Sequence, residues 1–134
     1  MKLFNDEFSN ILVKQMDACT LRQRVLANNI ANVNTPGFKK SEVNFQQQLK
    51  AALNHNAMGL RVTNQRHIGA ANNLQLLKPE VLQTEDTSMR AGKNNVDIDE
   101  EMVNTAANTL LYRLTTRVNS DRANLISYVI KGGR

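Results

Sequence analysis

The sequence predicts a mainly α protein. Two long amphipathic terminal helices pair as an antiparallel, coiled-coil-like hairpin, joined by an irregular middle segment with room for short helices or a small strand. Three observations carry this. Apolar pairs recur every seven residues near the N-terminus, a second seven-residue series runs near the C-terminus, and the stretch between them is broken by glycine and proline and rich in amides. The expected boundaries are 1–34 for the first helix, 35–95 for the middle and 96–134 for the second helix, the two helices forming one domain.

The first pattern runs from Phe4 to Val33. Its pairs are Ile11-Leu12, Ala18-Cys19 and Val25-Leu26, with Lys14, Asp17, Arg22 and Arg24 between them and Phe4 and Phe8 extending the stripe. Val33 continues the series, but Asn32 stands where its apolar partner would be. Pro36 is expected to end the helix, because proline cannot continue the hydrogen-bond ladder and biases Thr35 away from helical geometry; Gly37 suits a turn with positive φ.

The second pattern runs from Asp99 to Ile130. Leu111, Val118 and Leu125 repeat every seven residues, and Leu114 and Tyr128 share a second seam interrupted by Asp121. Asp97, Asp99 and Glu100 form the expected cap: an acidic N-cap with a glutamate three residues on, as in a capping box. Asp99, Glu100 and Glu101 oppose the positive helix end, Lys131 suits the negative one, and Gly132-Gly133 stops the helix. The expected interface residues are therefore Ile11, Leu12, Ala18, Val25, Leu26, Leu111, Leu114, Val118, Leu125 and Tyr128. Each seam is narrow, so the helices are expected to pair within the chain and then with other copies. A two-helix core covered by the middle segment is the plainer alternative.

In the middle, a short helix is expected within Val43 to Leu53. Leu74 to Leu82 is apolar but broken by Pro79, and a weak strand is expected at Glu80 to Gln83. This segment is expected to be the mobile part, or the part that assembly orders.

Composition excludes more than it assigns. The 134 residues are 41% apolar and 4% aromatic, with no tryptophan and 18 asparagines, which points to much hydrogen-bonding surface and few rigid anchors. The net charge is +5, but Lys39-Lys40 is the one adjacent basic pair, so the basic patch of a nucleic-acid binder is missing. A small basic helical nucleic-acid-binding protein remains the rival from another class. Cys19 reads as a small buried hydrophobe, and a lone cysteine does not fix the redox compartment. The N-terminus lacks the apolar core of a cleaved signal, so export, if it occurs, is expected by another route. His55 and His67 lack further ligands at metal spacing, and the carboxylates at 97–101 read as helix-end chemistry. No catalytic residue, metal, cofactor or small-molecule substrate is expected.

The segment ANNIANVNTPGF at residues 27–38 closes the first helix. It resembles the A-x-N-I-A-N-x-x-T-P-G-[FY] signature of the bacterial flagellar axial proteins, the family of rod and hook subunits. Asn28, Asn29, Ile30, Ala31, Asn32, Asn34, Thr35, Pro36, Gly37 and Phe38 make up the candidate assembly motif. Thr63 to Ile68 resembles a T-x-x-x-H-[ILM] element of a proximal rod protein, and Asn94 to Met102 resembles its N-N-V-D-[IL]-[DE]-x-E-M stretch. Lys93 stands where the resemblance leads one to expect glycine. Hook and distal rod proteins carry large insertions that the middle segment here is too short to hold; another proximal rod protein is the runner-up.

The resemblance implies a structural subunit that polymerises through its terminal helices into the hollow drive shaft crossing the periplasm. The implied partners are other copies of itself, other rod proteins, the membrane (MS) ring with its rod adaptor, and the flagellar type III export apparatus, with no nucleic acid. Phe45 and Leu49 resemble the F-x-x-x-Φ element read by the export gate, although the same spacing describes any apolar pair one helical turn apart.

Overall fold

The computed structural model describes residues 7–57, 77–84 and 93–133. In chain order these form helix α1 (Glu7–Ala31), strand β1 (Ser41–Asn44), helix α2 (Gln46–Ala57), strand β2 (Glu80–Gln83) and helix α3 (Ile98–Ile130). The fold is mainly helical, with the two long helices packed against each other and a small two-stranded sheet contributed by the middle segment. At 1.5 Å per residue α1 spans about 37 Å and α3 about 50 Å. Phe4, the Thr63–Ile68 element and His67 lie outside the described residues.

Four contacts fix the helix pair as antiparallel. From one end to the other, Asn29 meets Glu101, Cys19 meets Asn108, Met16 meets Thr116 and Phe8 meets Arg122. On α1, Leu12, Ala18, Cys19 and Leu26 are buried and Ile11 and Val25 half-buried. On α3 the apolar series is not packed on α1. Leu114, Val118, Leu125 and Tyr128 are 61%, 36%, 63% and 55% exposed, and Leu111 is only half-buried. The residues α3 buries are Glu101, Asn108 and Thr115. They too repeat every seven residues, and half-buried Arg122 continues the series. This polar line lies about 60° around the helix from the Leu111 line, since three residues advance a helix by 300°. Hydrogen bonds to α1 hold Glu101 and Asn108 inward, while the Thr115 hydroxyl donates back to Leu111 O of its own helix, and the leucine face is turned away.

The apolar core sits beside the helix pair. Ala18, Val43 and Phe45 are buried together, with Leu21, Val25, Leu49 and Leu77 packed around them. Strands β1 and β2 pair antiparallel, Ser41 opposite Gln83 and Asn44 opposite Glu80. The strand expected at Glu80–Gln83 is present. The helix expected from Val43 begins instead at Gln46, because Val43 is taken into β1. There its β-branched side chain fills the core against α1.

The helix ends use different devices. After Ala31 the chain tightens, with Val33 N–H donating to Ile30 O and Thr35 N–H to Asn32 O, and Gly37 turns it at φ 74°. At the start of α3, Asp97 is the N-cap and its carboxylate accepts from the Asp99 N–H. The expected capping box does not form: Glu100 reaches away to Lys40, which lies across the junction at 3.3 Å. At the other end Gly132 N–H donates to Val129 O and Gly133 N–H to Tyr128 O, with φ of 73° and 77°. That is a Schellman closure, which needs residues free to adopt positive φ.

Candidate assembly site

Two features could join this chain to others: the asparagine-rich junction where α1, β1, β2 and α3 meet, and the outward face of α3. The junction is built from side-chain amides because each offers both donors and an acceptor to broken backbone. Asn29 is fully buried. Its Nδ2 donates to Ser41 O and to Glu101 Oε2, both at 2.9 Å, and its Oδ1 accepts from Ser41 N–H at 3.1 Å. One side chain thus ties α1 to β1 and to α3.

Asn94 works from the other side. Its Nδ2 lies 2.9 Å from Asn32 O, 3.0 Å from Val33 O and 2.9 Å from Thr35 O, so it gathers the carbonyls of the turn that follows α1. Its Oδ1 accepts from Val96 N–H. Asn95 accepts from Lys40 N–H at 2.7 Å and donates to Thr84 O, joining the two strands to the approach to α3. Immediately before this pair, Lys93 adopts φ 57°, the left-handed region, at the place where glycine was expected.

Lys40 closes the junction electrostatically. Its Nζ lies 3.2 Å from Glu42 and 3.3 Å from Glu100. Burial works against the charged ammonium, but the hydrogen bonds and charges of both carboxylates outweigh it and raise the pKa above the ordinary lysine value.

The outward face of α3 is the second feature. Val103, Leu110, Leu114, Leu125 and Tyr128 are each more than half exposed, and with Ala107 and Val118 they recur at intervals of three and four residues. That spacing places them along one side of the helix, with Asp121 as the polar interruption.

A family model described as "Flagella basal body rod protein" matches residues 16–39, which cover the second half of α1 and the asparagine-rich turn. The flagellar basal body rod protein FlgB of Borreliella burgdorferi is 35% identical over 88% of this chain and 91% of its own length. That of Borrelia hermsii is 37% identical over the same shares. That of Proteus mirabilis is 30% identical over 95% of this chain and 98% of its own length. The chain belongs to the FlgB family of flagellar basal body rod proteins. It is a structural subunit of the basal body rod, and neither the runner-up rod protein nor a nucleic-acid-binding role is favoured.

In this chain the candidate assembly motif divides. Asn29 is buried in the junction, Ile30, Asn32 and Phe38 are half-buried, and Asn28, Ala31, Asn34, Thr35, Pro36 and Gly37 face solvent. Asn32 is a local staple: its Nδ2 donates to Asn28 O and its Oδ1 accepts from the Thr35 hydroxyl. Phe45 is fully buried in the core, and the Leu49 N–H donates to Phe45 O as the first hydrogen bond of α2. Of the three expected cap residues, Asp97 and Asp99 act at the helix end and Glu100 acts on Lys40.

Sequence reasoning missed Asn108, Thr115 and the stitching by Asn94 and Asn95. A signal for the first two was present, because Glu101, Asn108, Thr115 and Arg122 form a polar series as regular as the apolar one.

Proposed function

We propose that the subunit polymerises through its terminal helices into the proximal part of the hollow rod, the outward face of α3 being the surface that packs against neighbouring copies. The observation that carries this is the exposure of Val103, Leu110, Leu114, Leu125 and Tyr128 along one side of a 33-residue helix. Apolar surface of that extent and periodicity marks an interaction site. The junction around Asn29 and Asn94 is the rigid elbow from which the middle segment leaves the helix pair. The role is structural and not catalytic.

On this reading the subunit works in the periplasm and meets the MS ring, its rod adaptor and other rod proteins. It gets there through the flagellar type III export apparatus without a cleaved signal. Because Phe45 is buried in the folded subunit, the export gate would read Phe45 and Leu49 before the subunit folds. The exposed part of the motif, Asn28, Asn34 and Thr35 to Gly37, is the surface the elbow offers to a neighbour.

Leu114→Asp tests the interface. Leu114 is 61% exposed, so an aspartate there leaves the helix pair standing but places a charge in the packed surface. The expected outcome in a strain lacking the native copy is normal expression with no rod and no motility. Rods that assemble with this substitution would remove the α3 face from the interface.

A further inference from the structure

The pair of strands leaves one edge open. Thr84 N–H donates to Lys40 O. With Glu42 opposite Leu82 and Asn44 opposite Glu80, the even-numbered residues bond across the pair. The odd-numbered ones turn their N–H and C=O groups away from it. On β1 those outward groups are met by α1: Asn29 takes both the N–H and the C=O of Ser41, and Arg22 donates to Val43 O at 3.3 Å. On β2 the corresponding groups belong to Val81 and Gln83. Among the described residues nothing bonds to them, and every residue of the strand is exposed.

Two further features shape that edge. Val81 and Leu82 are 45% and 44% exposed, an apolar surface on a strand without cover. Pro79 stands at the next outward position before Val81 and has no N–H to donate, so the edge offers donors at Val81 and Gln83 and none at Pro79. An open edge is a template for another strand, and native sheets usually cover or blunt it. Here α1 covers β1, and nothing among the described residues covers β2.

We propose that β2 pairs antiparallel with β2 of a second copy, joining two two-stranded sheets into one of order β1-β2-β2-β1 across a two-fold axis. The open edge calls for extended backbone, and among the described residues β2 is the one strand with an edge left to give. Pairing two copies uses both open edges. The outer edges of the enlarged sheet are then the β1 edges that α1 already covers, so the sheet closes at two chains. The outward groups set the register. Val81 N–H donates to O of the partner's Gln83, Val81 O accepts from N–H of the partner's Gln83, and the axis repeats both. Leu82 then lies opposite the partner's Leu82 in the close, non-hydrogen-bonded pair. Glu80 lies opposite the partner's Thr84, so the two Glu80 carboxylates do not oppose each other. Such an isologous contact does not extend a directional shaft, which grows through heterologous ones. The pair is a state of the free subunit, separate from the α3 face, and it opens before incorporation.

The test uses the purified full chain. Sedimentation velocity on the wild type is expected to show a monomer–dimer step. Leu82→Lys and Leu82→Glu each set like charges face to face at the axis and should weaken the dimer at least tenfold. In Leu82→Lys the new ammonium also lies opposite Glu42 of its own chain, which keeps the hairpin intact. An equimolar mixture of the two variants should restore the dimer as a Lys–Glu pair. Leu82→Cys should give a disulfide-linked dimer on mild oxidation. Val81→Cys should link at least tenfold more slowly, because the two copies of that residue sit out of register with each other. Larger species formed through the α3 face should be untouched by the Leu82 substitutions, which separates the two contacts. A wild type without a dimer at any concentration would overturn the proposal. So would a dimer undiminished by Leu82→Lys, a mixture that dimerises no better than its parts, or equal cross-linking at Val81 and Leu82.

Discussion

At the scale of the residue, Asn29 carries the most structure per atom. Its amide uses three hydrogen bonds to hold the start of β1 and the buried carboxylate of Glu101. Replacing it with leucine keeps the approximate volume but strands the Ser41 N–H and C=O and removes the donor to a carboxylate that is 2% exposed. Each stranded neutral group costs roughly 1–3 kcal/mol and a charged one more. Asn29→Leu is therefore expected to lower stability by about 3 kcal/mol or more in urea unfolding, whereas Asn34→Leu, at an exposed position, should change it by less than about 0.5 kcal/mol. Equal effects at the two positions would show that the asparagine motif acts as a general polar surface. Lys93 makes the opposite prediction. A left-handed conformation costs a non-glycine residue roughly 1–2 kcal/mol, partly offset by the greater freedom of glycine in the unfolded chain. Lys93→Gly is expected to stabilise by about 0.5–1 kcal/mol. A loss of stability would mean that the Lys93 side chain makes a contact worth more than its strain.

At the scale of the element, the two ends of α3 separate what local sequence encodes from what it does not. Asp97 caps the helix through its own neighbour, a contact set by two residues of spacing and so readable in advance. Glu100 has the capping-box position but spends its carboxylate on Lys40, sixty residues away in sequence. Asp97→Ala should cost about 1 kcal/mol, the usual worth of an N-cap. Glu100→Ala should cost less, since an exposed ion pair is worth well under that. Thermal melts of the two variants check the order, and a larger loss for Glu100 would reinstate the capping box. The same division explains how much of the fold was legible. The stop at Gly132-Gly133 and the strand at Glu80–Gln83 follow from local chemistry and period, whereas α1 ends at Ala31, short of the Pro36-Gly37 stop. The face that α3 turns inward does not follow from them. Two seven-residue series run along that helix, one apolar and one polar, and hydrophobicity favours the wrong one. The choice is made by acceptors on α1, the Cys19 carbonyl and the Gln23 side chain, whose position exists only once both helices are in place. For the candidate site the motif marked the right neighbourhood, but the partners of Asn29 lie 12 and 72 residues away.

At the scale of the whole molecule, apolar surface is distributed as in a part and not as in a finished object. Among the described residues eight apolar side chains are buried, while fifteen large ones are exposed, and eleven of these fifteen lie on α3. The helix pair is held by a short line of polar contacts, whose net worth in water is about 1 kcal/mol each, and an isolated helix gains little stability from its own backbone. Stability should therefore come from neighbours by mass action. Binding partners to the folded state adds about 2.7 kcal/mol at a hundredfold excess over the dissociation constant. The dilute chain is expected to show less helicity than α1 and α3 together imply, with a broad thermal transition. Raising the concentration should increase the far-UV circular dichroism signal and sharpen and raise the melting transition together. Leu114→Asp should hold the chain in its dilute behaviour at every concentration. Full helicity and a sharp melt at low micromolar concentration, unmoved by dilution, would mean that the polar line and the small core suffice, and that the outward leucines are dispensable for folding.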